Sequence, residues 1–90
     1  MLDGTYQKTF DGWEKVELDV GYWVASQEVE MDDLEMGEFL GVWTDPDTGK
    51  VWYDKTHLIL DPETAIILGI KWNQLAIYDN KNKEVKPIQL

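Results

Sequence analysis

From Phe39 to Leu75 the chain reads FLGVWTDPDTGKVWYDKTHLILDPETAIILGIKWNQL, and the turn and cap residues of this stretch decide the fold. Two strand-like runs, Phe39 to Thr44 and Val51 to Asp54, flank Asp45-Pro46-Asp47-Thr48-Gly49-Lys50. Pro46 suits the first central position of a turn, aspartate bonds back to nearby amides, and Gly49 accepts a left-handed backbone. The stretch predicts a β-hairpin with Trp43 and Trp52 beside its loop, packed across the strands. Leu58, Ile59 and Leu60 extend the strand region or lead into a helix. The helix start is marked by Asp61 as N-cap, Pro62 at the first helical position and Glu63 adding negative charge to the first turn. Ala65, Leu68, Trp72 and Leu75 recur at three- and four-residue spacing and define one face. Ile66 and Ile70 lie on a different flank, with Ile67 beside them. Either sheet and loops bury both flanks or one flank faces another subunit; a small domain with one helix has little material to cover the second, so Ile66 and Ile70 are the candidate self-interface of a homodimer.

Outward from this stretch, the helix is expected to end near Asn73, with Leu75 to Tyr78 as a strand. Asp79-Asn80-Lys81-Asn82-Lys83 is a turn cluster, and Val85 to Ile88 a short terminal strand that Pro87 confines to an edge. Toward the N-terminus, Val16, Leu18, Val20, Tyr22 and Val24 alternate with Glu17, Asp19, Gly21 and Trp23. That period of two predicts one half-buried strand with Trp23 on its wet face. Val29 and Met31 fall on the opposite parity, which a bulge after Ala25 would explain. Tyr6 to Trp13 reads as a short edge strand closing at Asp11-Gly12. The fold class expected is α+β, a mainly antiparallel sheet of about four to six strands with one principal helix. No repeat or linker divides the chain, so residues 1–90 read as a single small acidic domain.

Eighteen acids against eight lysines, with no arginine and no cysteine, leave a formal charge of −10 on 90 residues. The 43% hydrophobic content, with five tryptophans, separates the chain from charged disordered sequences. Without cysteine there is no disulfide framework and no thiolate chemistry, which fits a reducing compartment. The longest apolar run, Ala65 to Ile70, is far short of a membrane helix, and the first residues do not read as a secretion signal. The cytoplasm is the expected location, with no membrane partner.

The charge is uneven. Residues 1–49 hold thirteen acids and two lysines, a net charge of −11, whereas residues 50–90 hold five acids and six lysines, a net of +1. The densest stretch carries Glu28, Glu30, Asp32, Asp33, Glu35 and Glu38 without an intervening base. Such a field repels nucleic acid and anionic membrane and attracts a basic surface, or it serves only as a solvated face. Interfaces favour tryptophan as a buried anchor among polar residues. Trp23 and Trp43, in the acidic half, are therefore the candidate anchors beside the six acids.

The usual catalytic constellations do not assemble. His57 is the only histidine, and with Asp54 and Asp61 at offsets of three and four it is the sole candidate metal cluster. No second histidine or thiolate supports zinc there, and a polar bridge or surface residue ahead of the helix is the preferred reading of His57 over metal or acid-base work. The Asp45 to Lys50 loop fails the calcium-loop pattern, with Gly49 at position 5 and Thr56 at position 12. Ser26 lacks a nucleophile elbow, and the dispersed glycines form no phosphate loop. No cofactor is implied.

The block from Gly41 to Asp79, with its Trp-Thr-Asp-Pro-Asp-Thr-Gly-Lys loop, Asp54, His57, Asp61 and Asn73-Gln74-Leu75-Ala76-Ile77-Tyr78-Asp79, resembles small accessory proteins of bacterial phages and mobile elements. The chain is also similar in charge to small acidic phage proteins that act as nucleic-acid mimics against host defence or replication proteins. The resemblance implies an inhibitor that occupies a basic surface of a host protein, such as one that binds nucleic acid. The leading expectation is a non-catalytic acidic interaction module. A self-assembling structural protein using Ile66 and Ile70 is the alternative, and a small metal-dependent enzyme around Asp54, His57 and Asp61 stands third.

Overall fold

The computed structural model describes residues 1–88. In chain order its elements are β1 (Gly4–Thr9), β2 (Gly12–Val16), β3 (Tyr22–Glu28), a single 3-10 turn (Met31–Asp33), β4 (Phe39–Thr44), β5 (Val51–Ile59), α1 (Pro62–Lys71), β6 (Ala76–Asp79) and β7 (Glu84–Pro87). The fold is α+β, a seven-stranded antiparallel sheet ordered β2-β1-β4-β5-β3-β6-β7 with one principal helix. The seventh strand arises at the N-terminus. Residues there form a two-stranded hairpin, not one edge strand, because Phe10 and Asp11 make a two-residue loop between the paired Thr9 and Gly12. Contacts group the chain into two compact units: Met1–Val16 with Gln27–Thr56, and Glu17–Ser26 with the chain from His57 onward.

In the first unit β1 pairs with β2 and with β4, where Tyr6 faces Leu40, and β4 pairs with β5, where Trp43 faces Trp52. The β4–β5 loop closes as its residue types dictate. The Lys50 carbonyl accepts from the Asp45 N–H at 2.8 Å, the Asp45 carboxylate accepts from the Asp47 N–H at 2.8 Å, and Gly49 is left-handed at φ +75°. Leu40 and Val42, two apart on β4, point inward and join Tyr6 and Leu34 as the core, with Trp13, Val29, Met31 and Tyr53 packed around them.

In the second unit β6 pairs with β3 and with β7. Asp61 caps α1 as expected, its carboxylate accepting from the Thr64 N–H and hydroxyl at 2.8 Å each. The helix stops at Lys71, with Asn73 left-handed at φ +57° and the Gln74 N–H returning to the Gly69 carbonyl at 2.8 Å. The core is Val24, Ala65 and Ile77, flanked by Tyr22, Ile59, Leu68, Trp72 and Ile88. The helix is thus seated by its smallest residues. A Cβ on Gly69 would overlap Ile88 Cδ1 and lie 3.3 Å from Ile77 Cγ2, so a larger residue here forces both side chains to shift.

Three sequence expectations change here. The alternation over residues 16–24 is not one strand: β2 ends at Val16 and β3 begins at Tyr22. Gly21 turns left-handed at φ +75°, while Asn80, buried at 2% exposure, donates from Nδ2 to the Val20 carbonyl and from its N–H to the Gly21 carbonyl. A contact sixty residues away in sequence therefore overrides the local period. Trp23 is buried rather than wet, at 7% exposure beside Val24 at 0%, so both faces of early β3 are covered and alternation carries no information there. Leu75, counted with the apolar face although it follows the expected helix end near Asn73, is 87% exposed.

Candidate functional site

The acidic stretch belongs to the first unit and follows from an inside–outside pattern in irregular backbone. Val29, Met31 and Leu34 join the core cluster, while Glu28, Glu30, Asp32, Asp33 and Glu35 are exposed. The segment is tied down at its start by the Val29 N–H donating to the Tyr53 carbonyl at 2.9 Å. Farther along, Lys8 Nζ donates to the Leu34 carbonyl at 2.6 Å, and the Gly37 N–H donates to the Lys8 carbonyl at 2.8 Å. These tethers hold five carboxylates outward on a short path.

Glu38 plays another part. It is half-buried, pairs with Lys55 Nζ at 2.6 Å and accepts the Glu35 N–H at 2.7 Å. The sequence reading grouped it with the other acids because Lys55 lies seventeen positions away. The sheet brings them together and compensates that charge.

Next to this segment β4 and β5 place an aromatic pair. The Trp43 and Trp52 rings stack with centroids 5.9 Å apart and planes at 11°, and Lys50 Nζ sits 3.7 Å from the Trp52 ring centre. Trp43 is 46% exposed, and its Nε1 donates to Asp54 Oδ2 at 3.3 Å. Partial burial pushes the Asp54 carboxyl up, the Trp43 bond opposes this, and the nearby Glu28 charge adds to the rise. Glu28, Asp54 and Trp43 therefore form one neighbourhood that joins the aromatic shelf to the acidic segment. Asp54 was missed as a member of this site. Its signal was the hairpin register, which puts Asp54 opposite Gly41 and hence diagonal to Trp43. Of the two candidate anchors only Trp43 offers a surface, since Trp23 is buried.

The three candidate metal ligands hold three separate posts. Asp54 accepts from Trp43. His57 Nε2 lies 2.8 Å from Ser26 Oγ, with its ring 4.9 Å from that of Trp72. Asp61 caps α1, and the Thr64 N–H followed by the Thr64 hydroxyl lowers its pKa below the ordinary carboxylate value. Among the described residues no group of three or more His, Cys, Asp or Glu side chains is arranged to hold a metal ion. The polar-bridge reading of His57 is the one its contacts support.

In the second unit Ile66, Ile67 and Ile70 are 44%, 63% and 42% exposed. Beside them a cleft of about 160 Å³ is bordered by Ile66, Ile77 and Pro87, well under the roughly 300 Å³ at which small-molecule pockets begin. Among the described residues no helix is long and apolar enough to cross a membrane. Comparison with family models, with curated proteins and with solved structures finds no match to this chain.

Proposed function

We propose that the protein is a non-catalytic interaction module that presents Glu28, Glu30, Asp32, Asp33 and Glu35 to a basic protein surface, with Trp43 as its apolar anchor. The observation that carries this reading is the Glu28–Asp54–Trp43 neighbourhood, which sets a half-exposed indole beside concentrated negative charge. The two parts do different work. Exposed charge pairs contribute about 0–1 kcal/mol each and mainly raise the association rate and select the partner. The indole supplies affinity. If a tryptophan presents about 250 Å², the exposed 46% of Trp43 is roughly 115 Å², worth about 3 kcal/mol when covered. A protein that binds nucleic acid offers the required basic surface, and inhibition by occupying it, in the cytoplasm of a phage host, suits this chemistry.

The test is capture from host-cell lysate near 0.15 M salt, where charge is partly screened. It compares the parent chain with a Glu28→Lys, Glu30→Lys, Asp32→Lys, Asp33→Lys variant and with Trp43→Ala. The expected result is one basic protein retained by the parent, lost with the charge-reversed chain and reduced about 100-fold in affinity by Trp43→Ala. The charge-reversed chain should keep the parental circular dichroism, and Trp43→Ala should differ from it only by loss of the contribution of the stacked Trp43–Trp52 pair. Undiminished capture by the charge-reversed chain overturns the site.

A further inference from the structure

Helix α1 is packed inside out. It seats Ala65 and Gly69 inward, at 0% exposure for Ala65, and leaves its three isoleucines outward. The outward residues Glu63, Ile66, Ile67, Ile70 and Lys71 follow the i, i+3, i+4, i+7, i+8 spacing that ordinarily marks a core-facing stripe. The stripe also has a charge order. Glu63 stands in the first turn and Lys71 in the last, and Ile67 lies midway, four residues from each.

From this pattern we propose that the chain forms a two-fold symmetric homodimer by antiparallel pairing of α1 with α1 of a second copy. The symmetry axis passes near Ile67. A two-fold axis there brings Glu63 of each copy opposite Lys71 of the other, so the stripe is complementary to itself, as an isologous interface requires. Both ion pairs also lie at helix ends of suitable dipole sign. Ile66, Ile67 and Ile70 fill the centre, where burial supplies the affinity. A uniformly basic or acidic partner would oppose one end of the stripe, whereas a second copy satisfies both. Bulk charge points the same way. The unit that carries α1 holds six acids and four lysines, a net of −2, against −8 for the other unit, so like-charge repulsion between copies is least on this unit. This surface is separate from the Trp43 site and stands or falls independently of it.

The experiment is sedimentation equilibrium of the full chain from micromolar to millimolar concentration, on the parent and on Ile67→Lys, Glu63→Lys and Lys71→Glu, each checked for folding by circular dichroism. The parent should show a monomer–dimer equilibrium and Ile67→Lys should remain monomeric. Glu63→Lys and Lys71→Glu should each weaken self-association about tenfold, because two attractive contacts become repulsive. Mixing those two variants makes both contacts attractive again and should return dimerisation to the parental level. A parent that stays monomeric at millimolar concentration overturns the proposal. So does a dimer that survives Ile67→Lys, or a mixture that associates no better than its components.

Discussion

Replacing Gly21 by alanine tests how the second unit is held, with Gly49→Ala as the internal reference. Both glycines sit at φ +75°, so both substitutions incur the same left-handed backbone penalty, about 1 kcal/mol after allowance for the stiffer unfolded chain. Their surroundings differ. A Cβ on Gly49 meets nothing within 4 Å, whereas one on Gly21 would lie 2.9 Å from Leu58 Cδ1, 3.1 Å from Leu60 Cδ2 and 3.2 Å from the Ile59 carbonyl oxygen. The leucine methyls can rotate away, but the carbonyl belongs to β5 and moves only with the strand. Overpacking of this kind costs about 1–3 kcal/mol, which puts Gly21→Ala at about 2–4 kcal/mol in all. At a urea m-value of about 1 kcal/mol per M, the Gly21→Ala midpoint should fall about 1–3 M below that of Gly49→Ala. Denaturation followed by tryptophan fluorescence and by circular dichroism reads both. Midpoints agreeing within about 0.5 M would refute the claim that close contact, and not backbone conformation alone, reserves position 21 for glycine.

Asp79, at 2% exposure, governs part of the acid stability. Burial is the largest influence on its carboxyl and pushes it up, but bonds from the Asn82 side chain and amide, Lys86 and the Lys81 amide together hold it below the ordinary value. The unfolded chain then takes up this proton first. The stabilisation is complete above the unfolded value of about 3.9 and disappears as pH falls through the lower folded value. Asp79→Asn should therefore be less stable than the parent near neutrality and should lose less stability on acidification through this window. Urea midpoints with the same pH dependence in both proteins would contradict it. The stacked Trp43–Trp52 pair should give an exciton couplet in far-ultraviolet circular dichroism that either Trp43→Phe or Trp52→Phe abolishes and Trp13→Phe preserves. A couplet that survives both of the first two changes would show that these rings do not stack in solution.

What was legible in the sequence is local chemistry. The Asp45–Lys50 loop could be read because aspartate and glycine close such a turn with bonds inside six residues, and the loop then puts Trp43 opposite Trp52. The start of α1 was equally legible, since Asp61 satisfies an amide only three residues away. Along the acidic stretch the charges were visible, but their division into five exposed carboxylates and one paired with Lys55 was not. Asp54 likewise became part of the site only through its contacts with Trp43 and Glu28.

The sequence by itself determined the turns, the caps and the periods, because each depends on bonds and sterics within a few residues. Only the tertiary structure decided where a period is interrupted and which further faces are covered. Asn80 breaks the alternation at Val20 and Gly21, and both faces of early β3 are covered, which hides Trp23. Helix α1 carried two apolar flanks, and the spacing of Ala65, Leu68 and Trp72 already marked the face that packs on the core. The second flank was left open by the spacing; in the structure Ala65 and Gly69 lie against Ile77 and Ile88, and Ile66, Ile67 and Ile70 face outward.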